Sequence, residues 1–223
     1  MQSRRRTLTL VTLVVVVLLA GCAAGAAHTT EDAAGLTQDD VAELTLHEEF
    51  DRYRDRYRHM QHLLAETQNQ VHHGEREWDR GDDLPLDGSN GVAPLLGATF
   101  VNSYYLHAPR TWAPPHASGA KRDLDPMLES FRTKGWTFRV RAISGSHEVW
   151  AWTGDGWRIQ YSLDVDGRYS LDVYSEPFWT NDSDALSAAV YGRATLDWPT
   201  ESRPGEYPTP PTWDDPVVNH PKI

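Results

Sequence analysis

The order of apolar and polar positions along the chain predicts most of its elements. Leu46, Phe50, Tyr53, Tyr57, Met60, Leu64, Thr67 and Val71 recur at spacings of four and three. That spacing keeps them on one stripe of a helix. Thr37 can cap this helix, with Asp39 and Asp40 near the positive end of its dipole, and Gly74 is a natural stop. The stripe is expected to dock on the domain's own sheet. A coiled-coil partner is the alternative, disfavoured by a seam that is aromatic and short of leucines. Residues 75–97, rich in Asp, Gly and Pro, read as a long connection with a helical turn around Trp78. Residues 98–107 read as a strand and 109–119 as a loop, in which Pro114 and Pro115 forbid regular structure. A second helix is predicted over 123–134, with Asp125 as cap, Pro126 in the first turn and Gly135 as stop. Leu124, Met127, Leu128 and Phe131 form its apolar face.

The clearest pattern is a meander of four strands, 136–143, 147–153, 157–164 and 168–175, joined by Gly-containing turns. A three-residue loop at 144–146 sets Val140 opposite Trp150 and Phe138 opposite Trp152. A two-residue loop at Gly154-Asp155 sets Trp152 opposite Trp157 and Trp150 opposite Ile159. A three-residue loop at 165–167 sets Tyr161 opposite Leu171 and Ile159 opposite Val173. These registers send the large apolar residues to one face. The other face then carries Arg139, Arg141, His147, Arg158, Gln160, Asp172 and Tyr174. After the sheet, Asp182 or Ser183 can start a short helix through Leu186 and Val190, with Gly192 after it.

The ends differ from this body. An unbroken apolar run, Leu8 to Ala20, follows Arg4, Arg5 and Arg6 and leads into Leu19-Ala20-Gly21-Cys22. A basic start, a short apolar segment and small residues before a cut site make a secretory signal peptide. The run is shorter than the roughly 20 residues that span a bilayer. Cys22 is the only cysteine in the chain. Its setting resembles the bacterial lipobox, whose cysteine receives a diacylglyceryl thioether and becomes the mature N-terminus. Ser3-Arg4-Arg5 also resembles part of a twin-arginine signal, but Thr7 and the hydrophobic run favour general secretion. The division expected is residues 1–21 signal peptide, 22–36 flexible tether, 37–192 one α+β domain, and 193–223 a Pro-rich extended tail. That tail is either pinned to the body by Tyr207 and Trp213 or loose. The fold class is α+β: a mostly antiparallel sheet of about five strands with two helices on its apolar face.

Composition narrows the function classes. The chain has 223 residues and a formal net charge of −11, which becomes −14 once the three leader arginines are removed. An acidic exported body is not expected to bind nucleic acid. With its sole cysteine lipidated it can hold no intrachain disulfide, so packing must hold the core.

Catalytic motifs are lacking. There is no Gly-x-Ser-x-Gly elbow and no Gly-rich phosphate loop, and Ser146 and His147, as strand neighbours, point to opposite faces. Asp164-Val165-Asp166-Gly167 has the start of a calcium loop, but a hairpin turn explains it. Trp150, Trp152 and Trp157 would make a carbohydrate platform if exposed; the registers above bury them. His59, His62 and Glu66 have metal-ligand spacing on the helix face opposite the apolar stripe, interleaved with the arginines of a solvated surface.

The layout of lipobox, tether, long helix, strand, second helix ending in Lys-Gly-Trp and meander resembles small lipoproteins of high-GC Gram-positive bacteria. It is similar to the LppA-like mycobacterial lipoproteins. The resemblance assigns one residue, Cys22, as the acylated position. It implies attachment to the extracytoplasmic face of the cell membrane; separately, no cofactor is expected. The leading expectation is a monomeric, non-enzymatic lipoprotein that binds a protein or a small anionic ligand, with Arg139, Arg141 and Arg158 as its candidate ligand-binding residues. A hydrolase-like enzyme drawing on His107, His116 and Asp123, and a metal-binding protein using His59, His62 and Glu66, are the alternatives.

Overall fold

The computed structural model describes residues 29–78, 82, 84–91, 93 and 95–219. The expected signal peptide, Cys22 and the last four residues of the tail lie outside the described residues. In chain order the elements are α1 (Gln38–Ala42), α2 (Leu46–Gln68), β1 (Arg76–Glu77), β2 (Leu86–Asp87), a 3-10 turn (Gly88–Asn90), β3 (Ser103–Tyr105) and β4 (His107–Trp112). A second 3-10 turn (Lys121–Leu124) leads into α3 (Asp125–Thr133). Then follow β5 (Thr137–Ile143), β6 (Ser146–Trp152), β7 (Trp157–Leu163), β8 (Tyr169–Ser175), β9 (Phe178–Trp179), α4 (Ser183–Arg193) and β10 (Glu201–Ser202).

The fold is α+β. A seven-stranded antiparallel sheet runs β10-β1-β4-β8-β7-β6-β5, and a three-stranded sheet runs β2-β3-β9. The meander β5 to β8 falls where the alternation places it. The main sheet exceeds five strands because β1 and β10 are added beside β4, which continues through Pro109 to Trp112, where a loop was expected, and pairs with β1 at Thr111. Pro109 cannot donate to a ladder, and its carbonyl is taken by the Arg110 side chain at 2.7 Å. Two edge strands complete the sheet. Arg76–Glu77, where a helical turn was expected, pairs with Glu201–Ser202 from the tail.

The long helix is divided. Thr37 and Asp40 form one capping box, and Thr45 and Glu48 form a second that starts α2 afresh. From the predicted stripe, Phe50, Tyr53, Tyr57, Met60, Leu64 and Thr67 are buried. They pack against Ala108, Ile159, Leu171 and Val173 of the sheet, within one core that also takes Leu124, Met127 and Phe131 beside α3 and Leu186 and Val190 of α4. A further helix, α4, joins the same core and packs against α2. The helix α2 stops at Gln68, six residues before Gly74. There the buried Arg76 donates to the carbonyls of Gln68 at 3.1 Å and His72 at 2.8 Å, satisfying the orphan groups of a helix end. Asp125 does not cap α3; the N-cap is Leu124, with no side-chain bond, at the end of the 3-10 turn.

The strand β6 departs from the expected register. Phe138 and Val140 lie opposite Ala151 and Val149, and Trp150 and Trp152 lie opposite Gln160 and Arg158. The β7–β8 register is as predicted, with Tyr161 opposite Leu171. Thus β6 alone is rolled over: Val149 and Ala151 are fully buried, and Trp150 and Trp152 face outward. Trp157 is buried, as expected. The cause lies in both flanking turns: the loop into β7 is three residues, 154–156, rather than the expected two, closed by Thr153 N to Trp157 O at 3.1 Å. Ser144 and Gly145 have φ of 51° and 90°, a two-residue hairpin with both central residues left-handed, so Ile143 pairs directly with Ser146.

The ends are docked. Ala33 hydrogen-bonds the carbonyl of Pro177 at 3.2 Å, and the buried Asp32 accepts from the Trp179 amide at 3.0 Å. Residues 30–36, expected to be part of a flexible tether, are therefore part of the body. In the tail, Trp213 stacks on His47 at 4.8 Å and meets Phe50 edge-on, while Tyr207 meets Tyr57 edge-on. This is the pinned alternative.

A buried ion pair ties the connection to the sheet. Arg110 meets Asp82 at 2.6 Å with both side chains enclosed, lies 3.6 Å over the Trp78 ring, and shares Asp82 with Tyr57 and Gln61. Asp82→Ala should destabilise the fold by about 3–5 kcal/mol, the cost of leaving a buried charge without its partner, measurable by urea denaturation. The register makes its own forecast. Trp152→Ala should cost only about 1 kcal/mol, well under the ~3–5 kcal/mol of a core tryptophan, whereas Leu171→Ala should cost about 2–5 kcal/mol.

Candidate functional site

No described element covers the outer face of β5 to β8. Strand alternation brings Arg139 and Arg141 of β5, Glu148, Trp150 and Trp152 of β6, Arg158 and Gln160 of β7, and Asp172 and Tyr174 of β8 to that face. His107 joins them from β4, opposite Tyr174. His147 does not. It pairs with the inward Leu163 and lies on the helix-bearing side, a consequence of the same roll of β6.

A groove of about 300 Å³ lies in this face, lined by Arg139, Arg141, Trp150, Trp152 and Arg158. All three arginines expected to bind a ligand line it, together with two tryptophans expected to be core. Arg139 stands opposite Trp150, and Arg158 opposite Trp152. The guanidinium of Arg141 lies 5.8 Å from the Trp150 ring centre, and that of Arg158 lies 5.8 Å from Trp152, within cation–π range. An aromatic row extends from the groove: Trp150 stacks on Tyr174 at 5.6 Å, and Tyr174 stacks on His107 at 4.2 Å. His107 Nε2 is 2.9 Å from Asp172.

The charges here are not equally committed. Arg141 pairs with Glu148 at 2.6 Å. Glu148, though nearly buried, also accepts from Gln160 at 2.8 Å and Trp150 Nε1 at 3.3 Å. Arg158 reaches Glu176 through Nε and Nη2, at 3.2 and 2.8 Å. Arg139 has no ion pair among the described residues. The groove thus offers one unengaged guanidinium, two that are held in place by carboxylates, and two indoles. Such a set can hold an anion by charge-assisted hydrogen bonds while an adjoining flat apolar surface rests on an indole.

The other expected sites are not assembled in this way. His59 tilts against Trp157 at 5.1 Å, and Glu66 is paired with Lys134. Among the described residues no group of three His, Cys, Asp or Glu could hold a metal ion. Asp164 to Gly167 is a hairpin turn, closed by Gly167 N to Asp164 O at 3.0 Å. His107 lies on the outer face, away from His116 and Asp123. Those two line a different depression of about 320 Å³ with His72, Trp112, Tyr161 and Tyr169, but they share no hydrogen bond. Asp123 accepts from the Tyr169 hydroxyl at 2.5 Å. Burial, reinforced by that hydrogen bond, raises the Tyr169 pKa, so the phenol stays a proton donor to Asp123 at neutral pH. Burial, with Arg76 and His73 nearby, lowers that of His72. Beneath Trp112, burial brings Arg76 down to about 10.

Trp150 and Trp152 are absent from the expected site because a three-residue loop at 144–146 would turn them inward. The signal that identifies them is Ser144-Gly145 read as a two-residue turn. The different commitments of the arginines predict different costs. Arg139→Ala should leave stability within about 0.5 kcal/mol of the parent. Arg158→Ala, which unpairs Glu176, should cost about 1 kcal/mol, and thermal melts of the two variants compare them directly. Comparison with protein-family models, curated proteins and solved structures finds no match for this chain.

Proposed function

We propose that the protein is an exported lipoprotein, acylated at Cys22 and held on the extracytoplasmic face of the cell membrane, that binds an anionic ligand or an acidic protein segment in the Arg139–Arg141–Arg158 groove. It acts as a monomer and as a binding protein rather than an enzyme, without a cofactor and without nucleic acid as partner. The address rests on Leu19-Ala20-Gly21-Cys22 after a basic and then apolar leader. The ligand class rests on one observation above all: three arginines gathered with two outward tryptophans on an otherwise acidic chain. A positive groove on a negative body favours anions locally while net charge keeps copies apart.

Two measurements test the two halves. In the native host, labelled palmitate should enter the protein and be lost in Cys22→Ser; retention of a bare thiol and of the leader would refute the address. For the groove, polygalacturonate and citrate serve as anionic probes against neutral dextran. Binding of the anions should quench tryptophan fluorescence, weaken as salt rises, and fall at least about tenfold in Arg139→Ala/Arg141→Ala, a loss of ~1.4 kcal/mol. Equal binding by the parent and the double variant would remove the groove from the reading.

A further inference from the structure

Three of the large apolar side chains left in solvent belong to one short loop, residues 95–102. Leu96 is 65 % exposed, Phe100 63 % and Val101 42 %. The loop contains no charged residue. It is internally tied: Asn102 Oδ1 accepts from the amide and hydroxyl of Thr99 at 2.7 and 2.8 Å, and its Nδ2 donates to the Gly97 carbonyl at 3.2 Å. Ala98 N donates to Leu95 O at 2.9 Å. Its base is clamped by Ser183, which donates from Oγ to Phe100 O at 2.5 Å and from N to Val101 O at 2.8 Å. A loop this well bonded holds its apolar side chains outward by construction, and exposed apolar patches of that kind mark interaction surfaces.

Its place in the fold indicates the partner. Trp179 pairs with Ser103, at the loop's end, and its indole donates to the Thr30 carbonyl at 2.9 Å. The chain therefore joins the folded body beside this loop. Seven residue steps separate Cys22 from Thr29, a reach of at most roughly 25 Å when fully extended. A lipid on Cys22 thus confines the body to within that distance of the bilayer, with loop 95–102 next to the point of attachment.

We propose that loop 95–102 is a membrane-resting foot, with Leu96, Phe100 and Val101 entering the headgroup–acyl boundary of a bilayer once Cys22 is anchored. This rests on the acylation of Cys22 in the proposed function. Uncharged apolar side chains on a fixed loop suit that boundary. The tether makes the contact intramolecular, so even a weak insertion is populated. The foot orients the body rather than attaching it. Asp182 and Asp184 near its base, and the net charge of −14 without the leader arginines, fit it to a zwitterionic surface better than to an anionic one.

The test imposes the anchor chemically, independently of whether cells acylate the residue. The chain from Cys22 onward is coupled through the Cys22 thiol to a maleimide-bearing lipid in phosphatidylcholine vesicles, and amide hydrogen exchange is followed by mass spectrometry. Exchange across 95–102 should slow several-fold on coupling, while the turns at 143–146 and 164–167, at the other end of the meander and also bearing the exposed Ile143 and Val165, keep their solution rates. Leu96→Ser/Phe100→Ser should abolish the slowing while the protein stays coupled and its melting temperature holds. Unchanged exchange across 95–102 overturns the proposal. So does slowing that vanishes when copies are diluted on the vesicle, since that reports contact between copies. Absence of palmitate in cells would instead count against the acylated address and leave the vesicle result intact.

Discussion

The roll of β6 decides what each face of the sheet can do. Its residues Val149, Trp150, Ala151 and Trp152 are apolar on both sides, so hydrophobicity alone does not choose an orientation. The turn at Ser144-Gly145 chooses it, because a two-residue loop with both residues left-handed sets the pairing of β6 against β5. The inner surface agrees. The 3-10 turn over Lys121–Leu124 packs against β6 and β7, leaving room for Val149 and Ala151 where indoles would collide. Small side chains inward and large ones outward are two results of one register. The groove exists because of it: rolled the other way, β6 would bury its indoles and leave the arginines without the tryptophan walls of the groove.

Enclosed arginines organise the rest of the molecule. Arg110 joins the sheet to the connection through Asp82, Arg76 closes the end of α2, and Arg56 lies 4.0 Å over Phe178 while donating to the Tyr104 hydroxyl at 2.7 Å. None of them lies in the groove. Buried cations stacked on rings, with carboxylate, hydroxyl or carbonyl partners, resist replacement by a simple truncation. Each one bridges segments distant in sequence, Arg110 to Asp82, Arg76 to Trp112 and Arg56 to Tyr104 and Phe178. A chain that can form no disulfide in its body gains cross-links of a non-covalent kind this way.

Local patterns were legible from the sequence. The stripe from Phe50 to Thr67, the four meander strands and Asp182 at the start of α4 follow from periodicity and capping. What was not legible depends on distant partners. Thr45-Leu46-His47-Glu48 is a capping box as visible as that of Thr37, but a continuous stripe hid it. Glu201 and Ser202 carry no strand pattern; they become an edge strand only because Arg76 and Glu77 offer them a ladder. Asp32 sits in a polar stretch that reads as a linker until the Trp179 amide is there to meet it. For the site, the arginines were found by alternation alone, while the tryptophans needed the turn type.

The docked segment 30–36 links the two ends of the functional reading. Ala33 presses on Gly156 so closely that a Cβ there would stand 2.6 Å from the Ala33 Cβ and 2.7 Å from its carbonyl oxygen, and Gly156 has a φ of +87°. Only glycine suits that contact. Gly156 closes the turn between Trp152 and Arg158, and its carbonyl accepts from Glu176 N at 2.7 Å, the residue whose carboxylate holds Arg158. The strap leading toward Cys22 therefore bears on the turn that positions one end of the groove. Under the proposed anchorage the docked segment moves with the body, so the reach left between Cys22 and the folded chain is at most roughly 25 Å and a ligand in the groove would be met close to the membrane.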